Sequence, residues 1–244
     1  MKKSHVKFIG DIHGHANWHR SAIKTAQYTV QVGDLGFDYS YLDKIDSERH
    51  KFFGGNHDNY DIIDEFPHNI GHFGVHEIPD FGEFFFVRGA WSIDRAFRQN
   101  HDVSFKGQII RFKNLWDEEE MTMEQCNEAL SLYEKVKPKL LVSHTCPFNI
   151  VPHVGNPNIA KGFGFGTNAI KTRTNQLLQA MTDIHRPRMH IFGHFHVDVD
   201  CYIDGTTGEI KPSDLPNEHE NFTRYVCLAE AKTIALPKEF VDTL

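Results

Sequence analysis

Val6-Lys7-Phe8-Ile9-Gly10-Asp11-Ile12-His13-Gly14 is the stretch on which the fold turns. A short apolar run stops at a glycine, and a carboxylate and an imidazole follow at once. Such a run, bounded by turn residues, reads as a buried strand. Open α/β sheets collect ligands at the carboxyl ends of their strands. The same pattern recurs four times along the chain. Tyr28-Thr29-Val30-Gln31-Val32-Gly33 leads into Asp34, and Lys51-Phe52-Phe53-Gly54-Gly55 into Asn56, His57 and Asp58. Lys139-Leu140-Leu141-Val142-Ser143 leads into His144, and Met189-His190-Ile191-Phe192-Gly193 into His194 and His196. Two carboxylates, an amide and several imidazoles are therefore delivered to one edge of a sheet.

Asp11 and His13 stand two apart in an extended segment, so period-two geometry points them the same way, and His194 and His196 repeat that spacing. Asp34 is a lone carboxylate after a strand, and one carboxylate can bridge two cations. Asn56 offers an amide oxygen and His144 one imidazole. A mixed Asp/Asn/His set without thiolates suits Mn²⁺, with Fe, Zn²⁺, Co²⁺ or Ni²⁺ as alternatives. Seven candidate ligands, Asp11, His13, Asp34, Asn56, His144, His194 and His196, exceed what one catalytic ion needs. Two divalent ions are the economical reading.

The chain has 244 residues, of which 40% are apolar and 24% charged. That composition fits one domain over 1–244 with a layered core. The formal charge of −7 argues against strong nonspecific binding to nucleic acid, which needs a basic footprint. It leaves nucleotides open, because bound metals can supply the positive charge. No apolar stretch approaches the length of a bilayer span, so no membrane partner is expected. Met1-Lys2-Lys3-Ser4-His5 runs into a strand and lacks the apolar core of a signal peptide, which predicts a cytoplasmic location. Cys126, Cys146, Cys201 and Cys227 show no CxxC pair, so reduced thiols are expected. Most of the remaining histidines, His68, His72 and His76 among them, read as surface or supporting residues.

Residues Asn17 to Gln27 have helical character, and Tyr41 to His50 is helix-compatible. Phe73–Ile78, a Pro-Asp-Phe-Gly turn and Glu83–Val87 read as a hairpin. Thr122 to Lys137 predicts a helix capped by Thr122 and closed by Pro138, and Thr167 to His185 predicts another. Pro147 to Gly166, rich in Gly, Pro and Asn, reads as one long loop, and its Gly162–Gly166 part could cover a site. After His196 a closing β-meander is expected.

Gly10-Asp11-Ile12-His13-Gly14, Gly33-Asp34, Gly55-Asn56-His57-Asp58, Ser143-His144 and Gly193-His194-Phe195-His196 together resemble the five motif blocks of the calcineurin-like metallophosphoesterases, in the family's order. One GDxH alone would be weak evidence, and an isolated GHxH or GNHD is more often a turn than a metal site. The resemblance implies an α/β sandwich, two mixed β-sheets flanked by helices (αββα). It implies Asp11, His13 and His196 on one metal, Asn56, His144 and His194 on the second, and Asp34 between them. It also implies hydrolysis of phosphomonoesters or phosphodiesters by a hydroxide between the metals, with His57 as the general acid. Asp58 reads as a supporting residue.

Departures from the family pattern bear on the substrate. Protein serine/threonine phosphatases of this superfamily carry GDxVDRG where this chain has Gly33-Asp34-Leu35-Gly36-Phe37-Asp38, and GNHE where it has GNHD. The phosphate-gripping arginine is missing and Asp38 is shifted by one position. A small phosphorylated substrate, nucleotide-like in the favoured case, is therefore preferred over a phosphoprotein. Replacement grips could come from Arg95 and Arg98, although surface arginines paired with Asp94 would look the same. His15, at a helix start, could reach a substrate. The alternatives are a nuclease of the repair branch, a protein phosphatase, or a noncatalytic scaffold on the same fold, which usually shows eroded ligands.

Overall fold

The computed structural model describes residues 4–99, 113–165, 170–214 and 221–244, with the backbone alone of 102–105 and 108–111. Strand β1 (Ser4–Ile9) is followed by α1 (Ala16–Ile23), β2 (Ala26–Gln31) and β3 (His50–Phe52). The hairpin β4 (Phe73–Ile78) and β5 (Gly82–Val87) comes next, then α2 (Arg95–Gln99) and the paired β6 (Asp102–Phe105) and β7 (Gln108–Arg111). Helix α3 (Met123–Val136) leads to β8 (Leu140–Ser143), α4 (Val151–Val154), α5 (Pro157–Gly162) and α6 (Arg173–Ile184). The chain continues through β9 (Met189–Phe192), β10 (Val199–Asp204), β11 (Ile210–Pro212) and β12 (Phe222–Cys227). It ends on β13 (Thr233–Leu236) and α7 (Phe240–Thr243).

Two mixed sheets result. One has the order β13-β1-β2-β3, the other β11-β10-β12-β9-β8-β5-β4. Parallel pairs lie at the centre of each, and antiparallel strands border them: β13 on β1, β4 on β5, β10 on β12. The alternation of side chains along a strand explains the layering. Phe84 and Phe86 of β5 join Val6, Phe8, Val30, Val142 and Ile191 in the core between the sheets. Their neighbours Phe85 and Val87 turn the other way, onto Ala129 and Tyr133 of α3 and Leu178 and Met181 of α6. The outer face of the smaller sheet puts Ile9 and Phe52 under Ala22 of α1, with Leu35 and Tyr39 beside them. A strand covered on both faces needs the unbroken apolar run that β5 has. The architecture is the expected pair of mixed sheets flanked by helices.

Local signals account for the helix ends. Thr122 Oγ1 accepts from Gln125 N at 3.2 Å while Gln125 Oε1 accepts from Thr122 N at 2.9 Å, a reciprocal cap for α3. Lys137 closes that helix in the left-handed region at φ 49°.

Four segments differ from expectation. Tyr41 to His50 forms only a single 3-10 turn, Ser40–Lys44, because Asp38 Oδ1 and Asp46 Oδ1 accept from Ser40 N and Glu48 N and divert the backbone from a helix. The helix expected to reach Gln27 stops at Ile23, since Ala26 already pairs with β1. Pro147 to Gly166 is not one irregular loop: it holds α4 and α5, the latter capped by Asn156 with Pro157 in its first turn. The end of the chain is not a plain meander. β12 inserts between β10 and β9, and β13 crosses to the other sheet. Gly166 and the expected helix start at Thr167 lie outside the described residues. Among the described residues no helix is long and apolar enough to cross a membrane, and all four cysteines are unpaired thiols.

Candidate metal centre

Each of the five expected loops begins where a parallel strand ends, so their side chains meet at one end of the two sheets. Backbone hydrogen bonds tie the loops together. Asp34 O accepts from both Ile12 N and His13 N at 2.9 Å, and Gly193 N donates to His144 O at 3.0 Å. Four non-glycine residues in these loops hold left-handed backbone: His13 at φ 45°, Asp34 at 58°, His194 at 71° and His196 at 54°. Non-glycine residues rarely adopt that region, and strain of this kind persists where surrounding structure imposes it, often at functional sites.

The side chains form two groups about one carboxylate. In the first, His13 Nε2 lies 2.9 Å from His196 Nε2, 3.9 Å from Asp11 Oδ2 and 3.8 Å from Asp34 Oδ2. His196 Nε2 is 3.1 Å from Asp11 Oδ2. Ligand atoms of Asp11, His13, Asp34 and His196 all fall within 4.8 Å of one another. In the second group Asn56 Oδ1 is 3.0 Å from His144 Nε2 and 2.8 Å from His194 Nδ1. His144 Nε2 is 3.2 Å from Asp34 Oδ1. Asp34 thus turns one oxygen to each group.

Several observations test whether these residues fit a cation. His144 Nδ1 sits 2.8 Å from Val32 O, which can only accept, so Nδ1 carries the proton. Nε2 then faces two oxygens, Asn56 Oδ1 and Asp34 Oδ1, and would aim a lone pair at them in the neutral ring. Three electron-rich atoms converging on one point need a proton or a cation among them, and an imidazole fixed by a carbonyl at its other nitrogen is the usual form of a metal-binding histidine. Glycines make room. A Cβ on Gly33 would lie 2.4 Å from His144 Nδ1, one on Gly55 2.3 Å from Asp34 Oδ1, and one on Gly193 2.3 Å from Asp11 Oδ1. The donor set fits divalent ions.

Electrostatics follow from the crowding. Burial alone would raise the Asp34 carboxyl, but His144 beside it, with His57 and His13, holds it well below the usual carboxylate range. Burial opposes charge on His144, yet Asp34 lifts that ring to about 9. Burial, and then His144, pull His194 down to about 3. The hydrogen bond to Asp11 raises His196 against its burial. His57 is lowered by burial more than Asp34 raises it.

Asp58 holds the frame. Its carboxylate accepts from Asp34 N at 2.8 Å, Gly55 N at 2.7 Å, Gly36 N at 3.1 Å and the Tyr39 hydroxyl at 3.0 Å. Burial and the nearby Asp34 push it up to about 7, against those bonds. His57 N donates to Asp34 Oδ1 at 2.7 Å, and its ring lies edge-on to His13 with centroids 5.2 Å apart. It therefore flanks both groups without joining either.

The other candidates fall elsewhere. His15 is exposed at the start of α1, with Nε2 3.2 Å from Glu230 Oε1. Arg95 pairs with Asp117 at 3.4 Å and Glu119 at 3.5 Å. Arg98 is buried, with its guanidinium on Glu119, Ser92 and the Asn56 and Asn114 carbonyls. The guanidinium of Arg98 is buried and held by protein groups, so the structure does not present it to a substrate. Ser92 and Glu119, which touch Asn56 directly or through one atom, escape sequence reading because no local motif marks them. Burial pushes Glu119 up to about 7, against the pull of Arg98.

No family model matches the chain, and no curated protein matches its sequence. Among solved structures it is similar to a phosphopantetheinyl hydrolase from Mycobacterium tuberculosis, at TM-score 0.45 and 13% identity over 94% of this chain and 90% of that one. It is likewise similar to a dimetal phosphatase from Danio rerio, at TM-score 0.45 and 13% identity over 96% of this chain and 94% of that one. The GAP50 anchor of the Plasmodium inner membrane complex aligns at TM-score 0.41 and 9% identity, over 98% of this chain and 79% of that one. Likenesses this distant carry no weight for function, which has to be argued from the site.

Proposed function

We propose that the protein is a dimetal-dependent phosphoesterase of the calcineurin-like kind, acting on a small phosphorylated substrate. One observation carries the reading: the buried Asp34 carboxylate has Oδ2 on the His13 side and Oδ1 3.2 Å from His144, so a single charge serves two groups of donors. Asp11, His13 and His196 would hold one ion, and Asn56, His144 and His194 the other. When bound, two divalent ions, Mn²⁺ in the favoured case, neutralise phosphoryl oxygens and acidify water at neutral pH.

The chain's own residues supply the rest. His57 has its main chain anchored on Asp34 Oδ1 and its ring edge-on to His13. A histidine there is suited to hold the proton that a leaving oxygen takes up. Asp58 and Tyr39 keep the Asp34 loop in its left-handed conformation. We assign a substrate's distal part to exposed His15, paired with Glu230, whose charge acts on His196.

A matched set of substrates tests the proposal: an aryl phosphate, a diaryl phosphate, cyclic nucleotides and dinucleoside polyphosphates, each with chelator-treated protein and after Mn²⁺ is restored. The expected outcome is turnover of at least one ester that disappears with chelator and returns with Mn²⁺. No hydrolysis of any of them with metal bound would contradict it.

A further inference from the structure

The side-chain amide of Asn56 could point either way, because its oxygen and nitrogen are nearly the same size, yet only one orientation offers an oxygen to His144 and His194. Packing cannot choose between them; hydrogen-bond chemistry can. Asn56 Nδ2 donates to Ser92 Oγ at 3.0 Å. The single proton of that hydroxyl goes to Glu119 Oε2 at 2.7 Å. Arg98 Nη1 also donates to Ser92 Oγ, at 2.5 Å, and cannot accept. With its proton committed, Ser92 has only lone pairs to offer Asn56. The amide nitrogen must face Ser92, and Oδ1 must face the two histidines.

The same arginine grips the main chain of that residue. Arg98 Nη1 and Nη2 donate to Asn56 O at 3.1 and 3.2 Å, while Nη2 lies 3.0 Å from Glu119 Oε1. Ser92 and Glu119 are fully buried and Arg98 is 6% exposed. An ion pair buried this deeply contributes little net stability, and apolar residues of similar volume would fill the space about as well. Apolar residues would not orient an amide.

We propose that Glu119, Ser92 and Arg98 form a positioning relay that fixes the Asn56 amide with its oxygen toward His144 and His194, and so sets the affinity of that ion position separately from the one formed by Asp11, His13 and His196. The inference rests on the two-ion reading above. Residues that orient a ligand typically change metal affinity 10–100-fold when removed.

Two readouts on the full chain at pH 8, above the value of about 7 for Glu119, test it. The first is independent of metal: the side-chain NH₂ resonances of Asn56 in chelator-treated protein, assigned by their loss in Asn56→Asp. Ser92→Ala should shift and broaden them, and Ser92→Thr, which keeps a hydroxyl, should restore them. The second is stepwise Mn²⁺ titration. Ser92→Ala and Arg98→Lys should weaken one of the two ions about tenfold or more and leave the other as in the parent. Arg98→Lys retains the charge beside Glu119, so it answers the question should Ser92→Ala fold poorly. Unchanged Asn56 resonances would overturn the relay, and so would equal weakening of both ions. If the parent protein takes up fewer than two ions, the two-ion reading fails, while the resonances still decide whether Ser92 orients Asn56.

Discussion

At the scale of single residues, the clustering of the seven candidate residues was legible because each follows a strand, where neighbouring sequence announces it. The structure brings all seven together. Arg98 shows the limit of that reading. Helical spacing with Arg95 suggested a phosphate grip, but its guanidinium is enclosed by Glu119, Ser92 and Asn56, contacts that join positions far apart in the chain. His57 gives the sharpest test at this scale, because it lies beside both groups of donors and belongs to neither. His57→Ala should retain bound metal while kcat falls ~10²–10⁴-fold, as loss of a general acid typically does. The deficit should shrink for an ester with an acidic phenol as leaving group, which needs little protonation, and stay large for an alkyl or nucleoside ester. Paired kinetics on the two esters with metal analysis check it. Equal losses with metal in place would make His57 a structural residue.

At the scale of elements, helix α3 was readable to within a residue because its cap and its terminating proline are both local signals. The stretch from Tyr41 to His50 was not, because aspartate side chains there compete for backbone amides that a helix would need. Strand β9 carries a further consequence. Its His190 is fully buried on the sheet face toward Phe192 and Tyr225. Ser143 Oγ donates to Thr145 O, so His190 Nε2 must donate to Ser143 Oγ, at 2.6 Å, leaving Nδ1 without a partner. Burial lowers this ring to about 3. In the unfolded chain it titrates near 6.5. Between those values the unfolded state binds more protons, so stability is full above pH 6.5 and is lost as pH falls toward 3. His190→Gln, which cannot charge, should give a shallower loss of stability across that window, measured by urea melts of chelator-treated protein at several pH values. Parallel curves for the two proteins would contradict the assignment.

At the scale of the whole molecule, the two-sheet sandwich was expected from the resemblance that the five motif blocks carry, and the run Phe84-Phe85-Phe86-Val87 fits it as a strand covered on both faces. It did not predict that β13 crosses to β1 or that β12 slots in beside β9, since strand order is decided by long-range pairing that no local residue encodes. That crossing matters for the site. The turn before β13 places Ala231 N on Asp11 O at 2.8 Å, so this late segment buttresses the Asp11–His13 loop. On the proposed reading this assembly holds two ions across Asp34. Elemental analysis of Mn²⁺-reconstituted protein, with electron paramagnetic resonance on the same sample, tests it most directly. Two Mn²⁺ per chain with the signature of a coupled pair are expected, and loss of both ions together in Asp34→Asn. Saturation at one ion per chain, or two uncoupled ions that survive Asp34→Asn, would contradict it.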